Sequence, residues 1–217
     1  MKEITTDVQL EAKLINSLLE KMSEDDWNNH TTFKDWTPAE VVAHLYYFDL
    51  MAIYSYKNKD KFKSEAEFLG TTGSLSTSYA RAVAVKDRLG TKNSEDLRSQ
   101  WFEVNQEMCK IFSTADPRDR MMWFGPDMGA RMFITARFME MWSHAQELYD
   151  LMNTTREYSD RIKHVATIGV KTFGWTYVNR GLEVPKDIPY VEIKAPSGEI
   201  WEWNEPNNNN FVKGQAS

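Results

Sequence analysis

Apolar residues recur at helical spacing over most of this chain and at alternating spacing only near its end. Leu10, Leu14, Ile15, Leu18, Leu19 and Met22 form one stripe with a period near 3.6, which predicts a first helix with Asp7 as its cap. Ser23-Glu24-Asp25-Asp26 reads as the end of that helix, and Trp27 to Trp36 reads as loop. Thr37-Pro38-Ala39-Glu40 is a strong helix start: Thr at the N-cap, Pro at the first helical position and Glu at the third. The helix it opens carries Val41, His44, Leu45, Phe48 and Met51 and is expected to reach about Tyr56. The lysines from Lys57 to Lys63 suit a helix C-terminus and a solvated loop, and Gly70-Thr71-Thr72-Gly73-Ser74 reads as loop. A third helix is expected from Leu75 to Leu89, closed by Gly90. A fourth is capped by Ser94 and striped by Leu97, Trp101, Val104, Met108, Ile111 and Phe112. Asp116-Pro117 breaks it, Trp123 to Gly129 forms a tight loop, and a fifth helix runs from about Ala130 to Met152.

Beyond about residue 155 the pattern changes. Arg161 to Asn179 reads as helix. Tyr190 to Ala195 and Glu199 to Trp203 alternate around Pro196-Ser197-Gly198, which predicts a hairpin. Phe211-Val212 starts a further strand that the chain scarcely completes, so the tail reads as truncated or as an edge covered by another subunit. The expected architecture is a helical bundle over residues 1–155 and a small C-terminal α+β segment over residues 156–217.

Composition narrows the possible roles. The 217 residues carry 26 Lys and Arg against 32 Asp and Glu, a net charge of -6, which disfavours duplex nucleic acid as a partner. One cysteine, Cys109, excludes an internal disulfide framework and a Cys-rich zinc module. No apolar run is long enough to span a membrane and no signal core opens the chain, so a cytoplasmic protein is the expectation.

The candidate chemistry lies in a few spaced side chains. Glu140 and His144 stand one turn apart on the fifth helix. By spacing alone the pair fits a surface hydrogen bond better than a ligand pair, but Phe138, Met139, Met141 and Trp142 make the surroundings apolar. A carboxylate and an imidazole taken out of water need partners or a metal. His44, in an apolar stretch of the second helix, reads as a core histidine or as a third ligand that leaves an open coordination position. Imidazole and carboxylate donors suit Zn²⁺ foremost, with Ni²⁺, Mn²⁺ or Fe²⁺ as alternatives. Glu40, one turn before His44, fits either a capping box or a hydrogen bond to the imidazole. Arg137 fits a substrate carboxylate or a salt bridge to Glu140 or Glu147. His164 fits an acid/base group or a packing role.

Trp36 to Leu45 resembles the first signature of the mycothiol-dependent maleylpyruvate isomerase family, within the DinB-like metal-binding bundles. Trp123-Phe124-Gly125-Pro126 with Met128, Arg137, Glu140, Trp142 and His144 resembles its second signature. The tail, from Arg161 through Trp203, is similar to a branch whose relatives carry a wyosine-base-formation label. The resemblance implies an α+β protein: a DinB-like up-down four-helix bundle with a small C-terminal α/β segment. It also implies His44, Glu140 and His144 as metal ligands. The implied chemistry is thiol-dependent isomerisation or transfer on a small carboxylate-bearing substrate: a low-molecular-weight thiol adds to an activated double bond, the single bond rotates, and elimination follows. Arg137 or Arg161 would hold the carboxylate. A metal-dependent hydrolase using Glu40 or Glu147 as base, or a non-enzymatic metal- or ligand-binding protein, is the alternative on the same scaffold. A homodimer is compatible with the exposed hairpin edge but not required by it.

Overall fold

The computed structural model describes residues 1–216 and divides into two compact units, Met1–Thr155 and Arg156–Ser217. The first unit holds α1 (Lys2–Leu19), α2 (Glu24–Asn28), α3 (Pro38–Lys57), α4 (Lys59–Thr72), α5 (Ser78–Leu89), α6 (Ser94–Ser113), β1 (Arg120–Met121), β2 (Met128–Gly129) and α7 (Ala130–Leu151). Four long helices make its core. α6 packs on α1 and α3, and α7 packs on the same two, so the four close a ring around one apolar interior. Trp101, Phe112, Phe133, Phe138, Leu45 and Met108 fill that interior with under 2 % of each exposed, while Met51 packs with Tyr47, Phe62 and Val85 on the α4 and α5 side of α3. α5 packs on the far side of α3 and α4 joins it there.

Local chemistry explains where these elements begin. At α3 the Glu40 carboxylate accepts from the Thr37 N–H at 3.0 Å and from the Thr37 hydroxyl, and Pro38 fills the first helical position. The four-residue run from Ser23, expected to end a helix, instead starts one. The Asp26 carboxylate accepts from Ser23 N–H and Oγ–H at 2.8 and 2.7 Å, while Ser23 Oγ accepts from Asp26 N–H at 3.2 Å. This capped turn buries Trp27, which composition alone assigns to loop. The lysine-rich stretch is also helical rather than loop. Asn58 caps α4 by accepting from Lys61 N–H at 3.0 Å, and the helix buries Phe62 and Glu65 while its lysines face water. Asn93, rather than Ser94, caps α6 through Asp96 N–H at 2.8 Å. α1 begins five residues ahead of Asp7, and Ile4, Val8, Ala12 and Ile15 set its buried face. Leu10 and Leu14 are therefore turned outward, 41 % and 45 % exposed, although the expected stripe includes them. Between α6 and α7, β1 and β2 pair antiparallel through Arg120↔Gly129 and Met121↔Met128, so the Trp123–Gly129 loop forms the tip and return strand of a small hairpin.

The second unit holds a short 3-10 turn (Asp160–Ile162), α8 (Lys163–Lys171), α9 (Phe173–Val178) and a sheet of β3 (Tyr190–Lys194), β4 (Ile200–Trp203) and β5 (Phe211–Gln215). β3 is central. It pairs antiparallel with β4 across the expected turn, where Gly198 takes φ 94°, and parallel with β5. β5 is thus a full five-residue strand along β3 rather than the stub expected at Phe211-Val212. Among the described residues, no helix is long and apolar enough to cross a membrane.

Candidate metal centre

His44 sits about two turns into α3 from its capped start, and Glu140 and His144 sit one turn apart on α7. The two helices pack together, which brings a histidine on one to the acid–histidine pair on the other across 96 positions of sequence. Nε2 of His44 lies 3.3 Å from Glu140 Oε2, and Nε2 of His144 lies 3.6 Å from the same oxygen. All three donor atoms fall within 4.8 Å of one another, and no other such cluster of His, Cys, Asp or Glu occurs among the described residues. The side chains are half-buried, 18 %, 36 % and 12 % exposed for His44, Glu140 and His144.

Burial lowers the His44 pKa to about 4, so the ring is neutral at pH 7 and keeps a lone pair for a ligand. Hydrogen bonding to His144 first, and to His44 second, holds the Glu140 carboxyl well below the usual carboxylate range. The separations of 3.3 and 3.6 Å are long for charge-assisted hydrogen bonds of about 2.7–2.9 Å. Two imidazole nitrogens and one anionic oxygen, converging but not tightly bonded to one another, are a donor set that fits a divalent cation.

Aromatic rings wrap the donors. Trp36 stacks on His144 with centroids 5.6 Å apart and planes 7° from parallel, and Phe33 meets the same imidazole edge-on at 5.1 Å. Phe48 lies 4.7 Å from His44. Lys34 and Asp35 both adopt positive φ, 54° and 60°, and this costly pair delivers Trp36 to the ligands. Beside His44 opens a cavity of about 210 Å³ whose walls include Trp36, Phe48, Leu69 and Val85. In the sequence Trp36 and Phe48 stand out only as parts of a motif and a stripe, and Phe33 falls within the loop before α3. Their dense aromatic spacing before and inside the capped helix was the available signal.

Arg137, Glu40 and Glu147 are committed to other partners within the first unit. Arg137 is buried, 3 % exposed, with its guanidinium on Asp49 at 3.0 Å and donating to the Leu45 carbonyl at 3.3 Å, so it pairs with neither Glu140 nor Glu147. That burial removes it from the surface a substrate carboxylate would reach. Glu40 is fully buried and serves the α3 cap and an ion pair with Lys86, not His44. Glu147 accepts from the Thr32 hydroxyl at 3.2 Å. Arg161 and His164 belong to the second unit, in the 3-10 turn and in α8. Cys109 is buried, and burial pushes its thiol far above the ordinary range, so it is no nucleophile.

Comparison with known proteins gives three findings. The model of the family described as Mycothiol maleylpyruvate isomerase N-terminal domain matches residues 8–149, a span that holds all three donors and ends before the second unit. Two Mycobacterium tuberculosis sequences, Uncharacterized protein Rv0036c and Uncharacterized protein MT0041, are each 25% identical over 210 residues, covering 97% of this chain and 80% of theirs. Crystal structures of the mycothiol-dependent maleylpyruvate isomerase, and of a histidine-to-alanine mutant of it, superpose with a TM-score of 0.59 at 15% and 13% identity. They cover 98% of this chain and 84% of theirs, which shows a shared α+β fold with a DinB-like bundle.

Proposed function

Because the chain belongs to the mycothiol maleylpyruvate isomerase N-terminal domain family, we propose that it is a divalent-metal enzyme using a small thiol to isomerise, or to modify by transfer, a small carboxylate-bearing substrate. His44, Glu140 and His144 would hold the metal, with Zn²⁺ the best match to two imidazoles and a carboxylate. The observation that carries this reading is the convergence of those donors within 4.8 Å from two separate helices. When bound, such a cation supplies Lewis acidity and lowers the pKa of a thiol or water ligand. The chain's own groups prepare the site for it. His44 is neutral and so free to ligate, and Glu140 supplies the balancing negative charge. Trp36, Phe33 and Phe48 shield the imidazoles from water on their outer faces and fix the ring planes. The cavity beside His44 leaves room for a small substrate. With Cys109 buried, the reacting thiol comes from solution.

Elemental analysis of protein purified without added metal is expected to find about one divalent ion per chain, and little in His44→Ala or His144→Ala. Equal metal in all three proteins would remove the proposed coordination. A requirement for added thiol separates this reading from hydrolysis on the same scaffold; turnover of a carboxylate ester or amide without thiol would favour the hydrolase.

A further inference from the structure

Arg137 is sealed against Asp49, so within the first unit another group has to hold the substrate's negative charge. α5 carries three cations, and their partners differ. Lys86 is paired with the buried Glu40, and Arg88 with the buried Glu65 at 3.1 Å. Arg81 has no carboxylate partner among the described residues. One of its Nη atoms donates to the Leu75 carbonyl at 3.0 Å, and its remaining N–H groups are unspent. Arg81 also lines the cavity beside His44, where it is the only Lys or Arg and where no acidic side chain lines the wall. Ser78 and Thr72 add hydroxyls to the same wall, and Trp36, Phe48, Leu69 and Val85 make the rest of it apolar.

We propose that Arg81 is the substrate's carboxylate anchor, holding a short-chain acid in this cavity with its far end toward His44. The assignment rests on the reading of the site given above. A guanidinium fork binds a carboxylate through two parallel hydrogen bonds, and apolar walls strengthen that attraction by excluding water. The volume of about 210 Å³ is below that of ordinary drug-sized pockets, so a body of a few carbons is selected.

Maleate serves as the probe and dimethyl maleate as its uncharged counterpart, with affinity measured by calorimetry at low salt. Wild type, Arg81→Gln and Arg81→Lys are compared, each with metal bound and after chelation, because a metal could itself attract maleate. Arg81→Gln is expected to weaken maleate roughly tenfold or more in at least one of these two states, the loss of a charge-assisted pair. Arg81→Lys should fall between, since it keeps the charge and loses the fork. The weaker binding of dimethyl maleate should be indifferent to residue 81, and equal melting temperatures would show that the variants fold. Unchanged maleate affinity in Arg81→Gln in both states, or no maleate binding by wild type, overturns the proposal. Metal content and thiol requirement are measured separately on wild type, so a failure of the proposed function leaves the maleate comparison readable, and the reverse.

Discussion

Asp49 and Arg137 face each other at 3.0 Å with 3 % of either side chain exposed, and Asn105 donates to the free carboxylate oxygen of Asp49 at 3.0 Å. Burial pushes the Asp49 carboxyl upward, and the Arg137 charge opposes that push. Removing the guanidinium would leave a charge in the bundle interior without its partner. Arg137→Ala is therefore expected to lose about 3–5 kcal/mol in urea denaturation, while the pair Asp49→Leu with Arg137→Met recovers most of it. A loss below about 1 kcal/mol, the value of a surface pair, would show that Asp49 finds another partner. The contrast with Glu140 and His144 explains which residues are legible in sequence. Those two are one turn apart, so helical geometry alone puts them side by side. Arg137 meets its carboxylate across 88 positions, and nothing local distinguishes Asp49 from Glu140 or Glu147 as that partner. His44 stands between: its apolar surroundings mark it, but joining it to α7 needs the resemblance or the fold.

Capping signals are the most legible feature at the scale of elements, because they are chemical and local. Thr37-Pro38-Ala39-Glu40 starts α3 where expected, and Gly90, with φ 67°, ends α5 where expected. Thr37→Ala is expected to cost about 1 kcal/mol by chemical denaturation, with the α3 cap as its origin. A neutral result would mean that burial of Glu40 against Lys86 holds the helix start without the cap. Two elements were illegible for one shared reason. α2 and α4 look polar in sequence, yet α2 buries Trp27, and α4 buries Phe62 and Glu65 and packs Ala66, Phe68 and Leu69 against the same cluster behind a run of lysines. Charged residues set among so few apolar ones obscure the periodic stripe. In α1 the stripe was visible but its phase was not, since both Leu10-Leu14 and Ile4-Val8 satisfy the spacing and only packing on α6 and α7 chooses between them.

For the whole molecule, the donors come from α3 and α7, and α4, α5 and α6 lie between those helices in the chain. A ligand bound only by the folded protein stabilises it by mass action, about 2.7 kcal/mol at a hundredfold excess over Kd. Stripping the metal is then expected to lower the melting temperature by roughly 5–10 °C in calorimetry, given about 2–4 °C per kcal/mol for a domain of this size. His144→Ala, with the site already broken, should show no such drop. The span from His44 to Glu140 has a further consequence. A cation seated there ties two points 96 residues apart in the folded chain, in the manner of a detachable cross-link, and opposes their separation. α4 and α5, with the cavity wall they carry, fall inside the tied loop, so proteolytic nicking of that stretch, and with it the lifetime of the protein in a cell, would follow the supply of trace metal.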